Sequence, residues 1–421
     1  MRKPHRIKRF LKALGPGLIT GAADDDPSGI ATYSIAGASL GFTTLWTALV
    51  TLPLMSVVQF LCAKIGMVSG MGLAAVLRQY YSRWLLYPTV LGLLIANTIN
   101  AGTDIGAIAA GLNLFLPIPS GYLIVPVSLL IVAVQFWGSY RFIVRIFKWL
   151  TLTLFAYVGA AILARPAWGQ VLWSTFVPRL SLDQNYLTTV VAIFGTTISP
   201  YLFFWQASQE VEEEISMGRK SLAQRQGATY RELREALLDT DVGMFFCNVV
   251  FYFVIISAAA TLNRAGVTNI QSAADAASAL EPLAGGAAKY LFAVGLIGVG
   301  FLAVPVLTGS AAYAVAEAFD WECKLDDKPH EAKRFYAVIA VSTLVGVLIN
   351  FAGINAMSAL YWTAVINGLI SPPLLVIIML VSNNKAVMGG NVNGTAANIV
   401  GWLAAIVMFA AAIAMLVTWN Q

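Results

Sequence analysis

GPGLITGAADDDPSGIATYS, residues 15–34, sets three adjacent carboxylates and a proline inside a stretch otherwise apolar enough to cross a membrane. A carboxylate at the centre of a bilayer costs roughly 2.5 to 3.5 kcal/mol on insertion scales, and Pro27 removes a helix donor. Gly21, Ser28 and Gly29 lower the barrier to unwinding further. The pattern predicts two half-helices, about 13–23 and 29–39, meeting at an opened backbone that presents carbonyls and a carboxylate to a cation.

The rest of the chain carries the same signature of a membrane solvent. With 58% hydrophobic and 11% charged residues over 421 positions, it has more apolar surface than a soluble core of that length hides. The reading is an all-α integral membrane protein of one domain, residues 1–421, with eleven spans. They fall near 13–39 (broken), 43–66, 86–114, 120–139, 147–164, 186–206 (broken), 239–262, 287–316, 335–352, 356–381 and 396–418. The basic start, MRKPHRIKRFLK, lacks a cleavage site and reads as a retained cytoplasmic arm over 1–12. With that arm inside, only Arg165, Arg179, Arg264 and Lys289 of the 26 Lys and Arg residues fall outside. The bias predicts an inner (plasma) membrane protein with its N-terminus cytoplasmic and its C-terminus outside. A solvated cytoplasmic loop with a short helix is expected over 207–238.

Span 6, VVAIFGTTISPYLFFWQ, again puts small residues and a proline at mid-membrane: Gly195, Thr196, Thr197, Ser199 and Pro200. Spans 1 and 6 each open a five-span half. Five is odd, so the halves, 13–165 and 186–381, must be inverted, with 396–418 an extra eleventh helix. Paired broken helices at corresponding positions point to a transport site at the midplane.

Asp26 precedes the proline and is both a candidate cation ligand and a natural N-cap for the second half-helix. Asp24 and Asp25 are candidates for the vestibule or a proton path. From span 6 come the Thr196 carbonyl and Ser199, with Thr197 a spare hydroxyl. Asn367, followed by Gly368 in span 10, is a buried amide beside a flexible step. Asp104 of span 3 is an intramembrane acid, and no Lys, Arg or His lies mid-span to pair with it. Asp239 and Asp241 read as solvated or capping carboxylates where span 7 begins. Cys62, Cys247 and Cys323 fit neither a disulfide framework nor a zinc spacing. There is no phosphate loop or HExxH motif, and the histidines are His5 and His330 alone. The chain is therefore expected to be no enzyme and to need no cofactor. A midplane site of carboxylate, hydroxyl, amide and carbonyl oxygens suits hard cations such as Mg²⁺ or Mn²⁺.

GPG, a mid-span Asp-Pro and a second proline-broken span 6, with AKIGMVSGMGLAAVLRQYY after span 2 and NNKAVMGG after span 10, resemble the natural resistance-associated macrophage protein (Nramp) family of divalent metal transporters. The resemblance covers nearly the whole chain and implies an inverted-repeat, LeuT-like 5+5 bundle. This sequence departs from the family at its site. The family's Asp-Pro-Gly-Asn reads Asp26-Pro27-Ser28-Gly29, so the Asn is missing at Gly29. Its Met-Pro-His reads Ser199-Pro200-Tyr201, a second span 6 histidine falls on Gln206, and the backbone ligand falls on Thr196. Of the family's span 3 proton-route acids, two fall on Asn97 and Ala107, leaving Asp104. Loss of the Met resembles the divergent Nramp-related magnesium transporters.

The expectation is thus alternating-access transport of Mn²⁺ or Mg²⁺, with Fe²⁺ a further candidate, around Asp26, Thr196, Ser199 and Asn367, without tight proton coupling. Partners are the cation and the bilayer, with no nucleic acid and no obligate protein. Two rivals stay open: a proton-coupled Mn²⁺ or Fe²⁺ symporter, and a sodium-coupled organic solute symporter of the same architecture.

Overall fold

A computed structural model describes residues 16–137, 152–321 and 331–419. Every regular element among them is helical. The kink comes first. Helix α1 is Pro16–Asp24 and α2 is Pro27–Leu40, so the break is tighter than the sequence pattern implies. Proline is tolerated at the first position of a helix, where its missing N–H has no partner anyway. Asp26 caps α2, with its backbone extended at φ −66 and ψ 170 and its side chain accepting from the Gly29 N–H. The second helix therefore starts as soon as Pro27 allows.

Then follow α3 (Trp46–Ser69), α4 (Leu73–Tyr80), α5 (Arg83–Asn113) and α6 (Ser120–Trp137). A sharply bent pair comes next, α7 (Ala156–Leu163) and α8 (Trp168–Phe176), turned through 119°. The second break separates α9 (Gln184–Thr197) from α10 (Pro200–Ser216), again with proline opening the new helix. The longer helices that remain are α11 (Tyr230–Ala258), α12 (Ala288–Ala318), α13 (Lys333–Ile349), α14 (Ala356–Asn383) and α15 (Thr395–Thr418), with short helical turns between them.

Eight helices among the described residues are long and apolar enough to cross a membrane, nine if the bent pair is one span. The expected eleven were counted from hydropathy. Span 1 is here two pieces of 9 and 14 residues, and span 9 is a helix of 17. Residues 138–151, just before the bent pair, and residues 1–15, which hold the expected N-terminal arm, lie outside the described residues.

The loop expected over 207–238 is much shorter. Helix α10 runs on to Ser216, and α11 begins at Tyr230 behind a capping box in which Thr229 and Glu232 satisfy each other's backbone N–H. Arg219 bridges the two ends, binding Glu214 at 3.1 Å and also Glu232.

Span 1 lies along α11 at van der Waals distance. A Cβ on Gly21 would collide with the Gly243 backbone, and one on Gly17 would stand 2.6 Å from Thr240 N. At the far end, Asn263 donates to the Ala38 carbonyl at 2.7 Å from a π-helical turn, Ala259–Asn263, that closes α11. Tyr33 of α2 packs its ring on Phe251, centroids 4.6 Å apart. The second break is braced by α14 in the same manner, because a Gly195 Cβ would overlap Ala364 O and Gly368 N. Ser371 of α14 donates to the Ile198 carbonyl, freed by the break, at 2.8 Å.

Candidate functional site

The two breaks meet. Tyr201, in the first turn of α10, donates its hydroxyl to the Ala23 carbonyl at the end of α1, 2.8 Å away. The missing side chain at Gly29 leaves room for Thr196, whose Oγ1 stands 2.9 Å from where a Gly29 Cβ would lie. Asp26, Thr196 and Ser199 are each about 1% exposed, so whatever they bind is removed from bulk water.

Asp26 uses its Oδ1 locally, accepting from Ser28 Oγ at 2.6 Å and Gly29 N at 2.8 Å. Its Oδ2 accepts from Asn100 Nδ2 of α5 at 3.1 Å. Asn100 is a contact the sequence reading missed. Nothing in NTINAG marks it out, and only the tertiary fold brings it to a carboxylate 74 positions away. Ser199 turns its hydroxyl back onto Gly195 O (3.1 Å) and Thr196 O (2.8 Å) instead of capping α10. The hydroxyl proton is spent, while the oxygens of Ser199 and Thr196 keep lone pairs.

The other candidates divide. Thr197 donates into its own helix, to Ile193 O at 2.8 Å. Asn367 is buried on α14, and among the described residues its amide makes no hydrogen bond to Asp26, Thr196 or Ser199. Gln206 lies away from the break, accepting from Thr20 at 2.5 Å and donating to Glu210 at 2.8 Å. Asp24 and Asp25 share the Cys247 thiol of α11, at 3.0 and 3.3 Å. Asp104 is fully buried, and both its oxygens lack a hydrogen-bond partner among the described residues.

This is a basin of carboxylate and neutral oxygen with which, among the described residues, no lysine or arginine is paired. Four aspartates are buried there, and among the described residues none of them is in an ion pair. An uncompensated buried carboxylate is costly, so a cation arriving from outside would relieve it. No three His, Cys, Asp or Glu side chains group to hold a metal among the described residues. The chemistry on offer is therefore one well-placed carboxylate amid amide, hydroxyl and carbonyl oxygens, a donor set for a hard ion that keeps some of its water.

The end of the bundle at Pro16 is tied shut. Asp239 of α11 accepts from Gly17 N (2.7 Å) and Leu18 N (3.2 Å), capping a helix other than its own. Glu317 takes Ser208 Oγ at 2.9 Å and the N–H groups of Ala74 and Ala75 at the start of α4. At the opposite end a cavity of about 250 Å³ opens between α5, α12 and α14, lined by residues such as Ala107, Asn113, Gln271, Asn355 and Leu360. Its floor is one turn from Asp104. Below it, the hydroxyls of Thr103 and Thr363 approach to 3.4 Å.

Comparison with known proteins follows the same line. A family model described as "Natural resistance-associated macrophage protein-like" matches residues 17–418. A divalent metal cation transporter MntH from Agrobacterium fabrum is 29% identical over 426 residues, covering 96% of this chain and 86% of the relative. One from Brucella suis is 27% identical over 397 residues, covering 92% and 84%. Among solved structures, the Eremococcus coleocola manganese transporter superposes with a TM-score of 0.73 at 19% identity, covering 99% of this chain and 88% of that one. Mhp1, a nucleobase-cation-symport-1 family transporter, gives 0.54 at 15% identity, covering 96% and 92%. At these identities the structural likeness shows the fold alone.

Proposed function

Because the chain belongs to the Nramp family, we propose that it carries a divalent metal cation of the Mn²⁺ and Mg²⁺ kind across the membrane by alternating access, with Asp26 as its anionic ligand. The observation that carries this reading is Asp26 itself, buried at the junction of two broken helices with Oδ2 turned to Asn100 and no ion pair among the described residues. The Thr196 carbonyl, Ser199 and Asn367 complete the ligand set once the half-helices shift. The named relatives carry divalent metals, which supports the class of cargo.

Ser199 in place of a thioether removes the soft donor that would favour late transition metals. Discrimination against Mg²⁺ is therefore weak here. The 250 Å³ cavity is the mouth on one side, and the Asp239 clasp closes the other. The arm is cytoplasmic, the membrane is the inner (plasma) membrane, and the halves 13–165 and 186–381 are inverted repeats, with 396–418 outside them.

Two charges moving through 100 mV release about 4.6 kcal/mol, so uptake needs no coupled proton. The test is uptake of Mn²⁺ and of Mg²⁺ into proteoliposomes under an imposed potential. Asp26→Ala should abolish both, and transport at the wild-type rate by that variant would overturn the assignment. One observation favours a second reading, proton-coupled import: among the described residues both oxygens of Asp104 lack a hydrogen-bond partner. Acidification of the lumen that follows metal uptake and vanishes in Asp104→Asn would select it.

A further inference from the structure

The two oxygens of Asp26 are treated differently by the fold. Oδ1 is held by the turn that starts α2, while Oδ2 meets the amide of Asn100, on a helix from elsewhere in the chain. Asn100 is fully buried, and its own Oδ1 has no hydrogen-bond partner among the described residues. Leaving a buried acceptor unpaired costs about 1–3 kcal/mol. The same debt recurs one turn along α5 at Asp104, and at Thr196 Oγ1 beside Gly29. Unsatisfied oxygens, the Tyr33 hydroxyl near Gly29 among them, are thus concentrated around Asp26.

We propose that Asn100 is a direct oxygen ligand of the transported cation, so that α5 forms one wall of the site. This rests on the reading that Asp26 binds that cation. A half-turn of the amide puts Oδ1 where Nδ2 now stands, 3.1 Å from Asp26 Oδ2. Two oxygens on neighbouring corners of an octahedron around an ion with bonds of about 2.0–2.1 Å lie about 3 Å apart. The separation the fold has set between the two side chains is therefore that of a shared octahedral edge. Without the ion, the NH₂ group donates to Asp26 and holds the carboxylate in place. When the ion arrives, the amide turns and gives it a neutral oxygen, and the orphaned acceptor gains its partner.

The rival role is that Asn100 only positions Asp26 by donating to it. Asn100→Cys separates the two, prepared with Cys247→Ser so that no other thiol lies near, and loaded with Co²⁺. A thiolate bound to Co²⁺ produces a charge-transfer absorption that oxygen ligands do not. The band should appear with Asn100→Cys and be absent from the Cys247→Ser parent. Binding of Co²⁺ with the parent's affinity and no band would overturn the proposal. Should the cysteine variant not fold, Asn100→His loaded with Mn²⁺ reads the same contact. Pulsed EPR should then report a directly bonded imidazole nitrogen, and its absence from the bound ion is the overturning result. Failure of the underlying reading looks different: Asp26→Ala would then bind Co²⁺ as tightly as the parent.

Discussion

At the scale of single residues, the site is held by a few hydrogen bonds whose loss has distinct consequences. Tyr201→Phe removes the donor to the Ala23 carbonyl and leaves that oxygen buried and unpaired. The expected cost is about 1–3 kcal/mol, read as a lower midpoint of thermal unfolding in detergent, with uptake reduced because the two breaks are no longer joined. Ser199→Met exchanges a hydroxyl bonded to Gly195 and Thr196 for a soft sulfur. Competition assays should then show Mg²⁺ inhibiting Mn²⁺ uptake less than in wild type, and Cd²⁺ inhibiting it more. The buried place of Asp26 at a helix break was legible in the sequence because an acid before a proline interrupts an otherwise apolar stretch. Asn100 was not, because one amide in a span looks like any other until a partner distant in the chain is placed beside it.

Among the helices, α1 is the piece whose release would open the Pro16 end. Its backbone N–H groups at Gly17 and Leu18 rest on the Asp239 carboxylate, an N-cap supplied by another helix. Asp239→Asn keeps an acceptor but loses the charge that favours a helix N-terminus. With N-caps worth about 0.5–2 kcal/mol, the variant should shift the balance toward the open form by roughly two- to thirtyfold. Thr20→Cys in that background should react faster with an impermeant thiol reagent than in the Asp239 parent. Sequence reasoning took Asp239 for a capping or solvated carboxylate and so found its chemistry but not its target. It also made the 207–238 loop too long. Hydropathy ends a helix where apolar residues end, whereas capping and the Arg219 pairs extend α10 and α11 beyond that point.

Across the whole molecule, the broken spans and the all-helical architecture could be read from composition and proline placement. The count of spans could not, since helix length, kinks and bends decide it. A peripheral latch joins distant parts of the chain: Arg78 in the last turn of α4 binds Asp320, just after α12, at 2.6 Å. The hydrogen bond from Arg78 holds the Asp320 carboxyl below its ordinary range. A depressed carboxylate adds stability above its unfolded pKa and loses it as pH falls through the folded value. Acid should therefore weaken this latch, and Arg78→Gln should flatten that part of the stability profile. The pair is exposed, so the change in melting temperature will be small.

The recess between α5, α12 and α14 is lined by alanine, leucine, amide and hydroxyl groups, and none of its lining residues carries a charge. The carboxylate of Asp275 stands against that rim, accepting from the N–H groups of Gln271 and Ser272. Its pull on an arriving cation reaches a Debye length, about 8 Å at physiological salt. Initial uptake at a clamped potential should therefore fall modestly as ionic strength is raised, and Asp275→Asn should weaken that dependence.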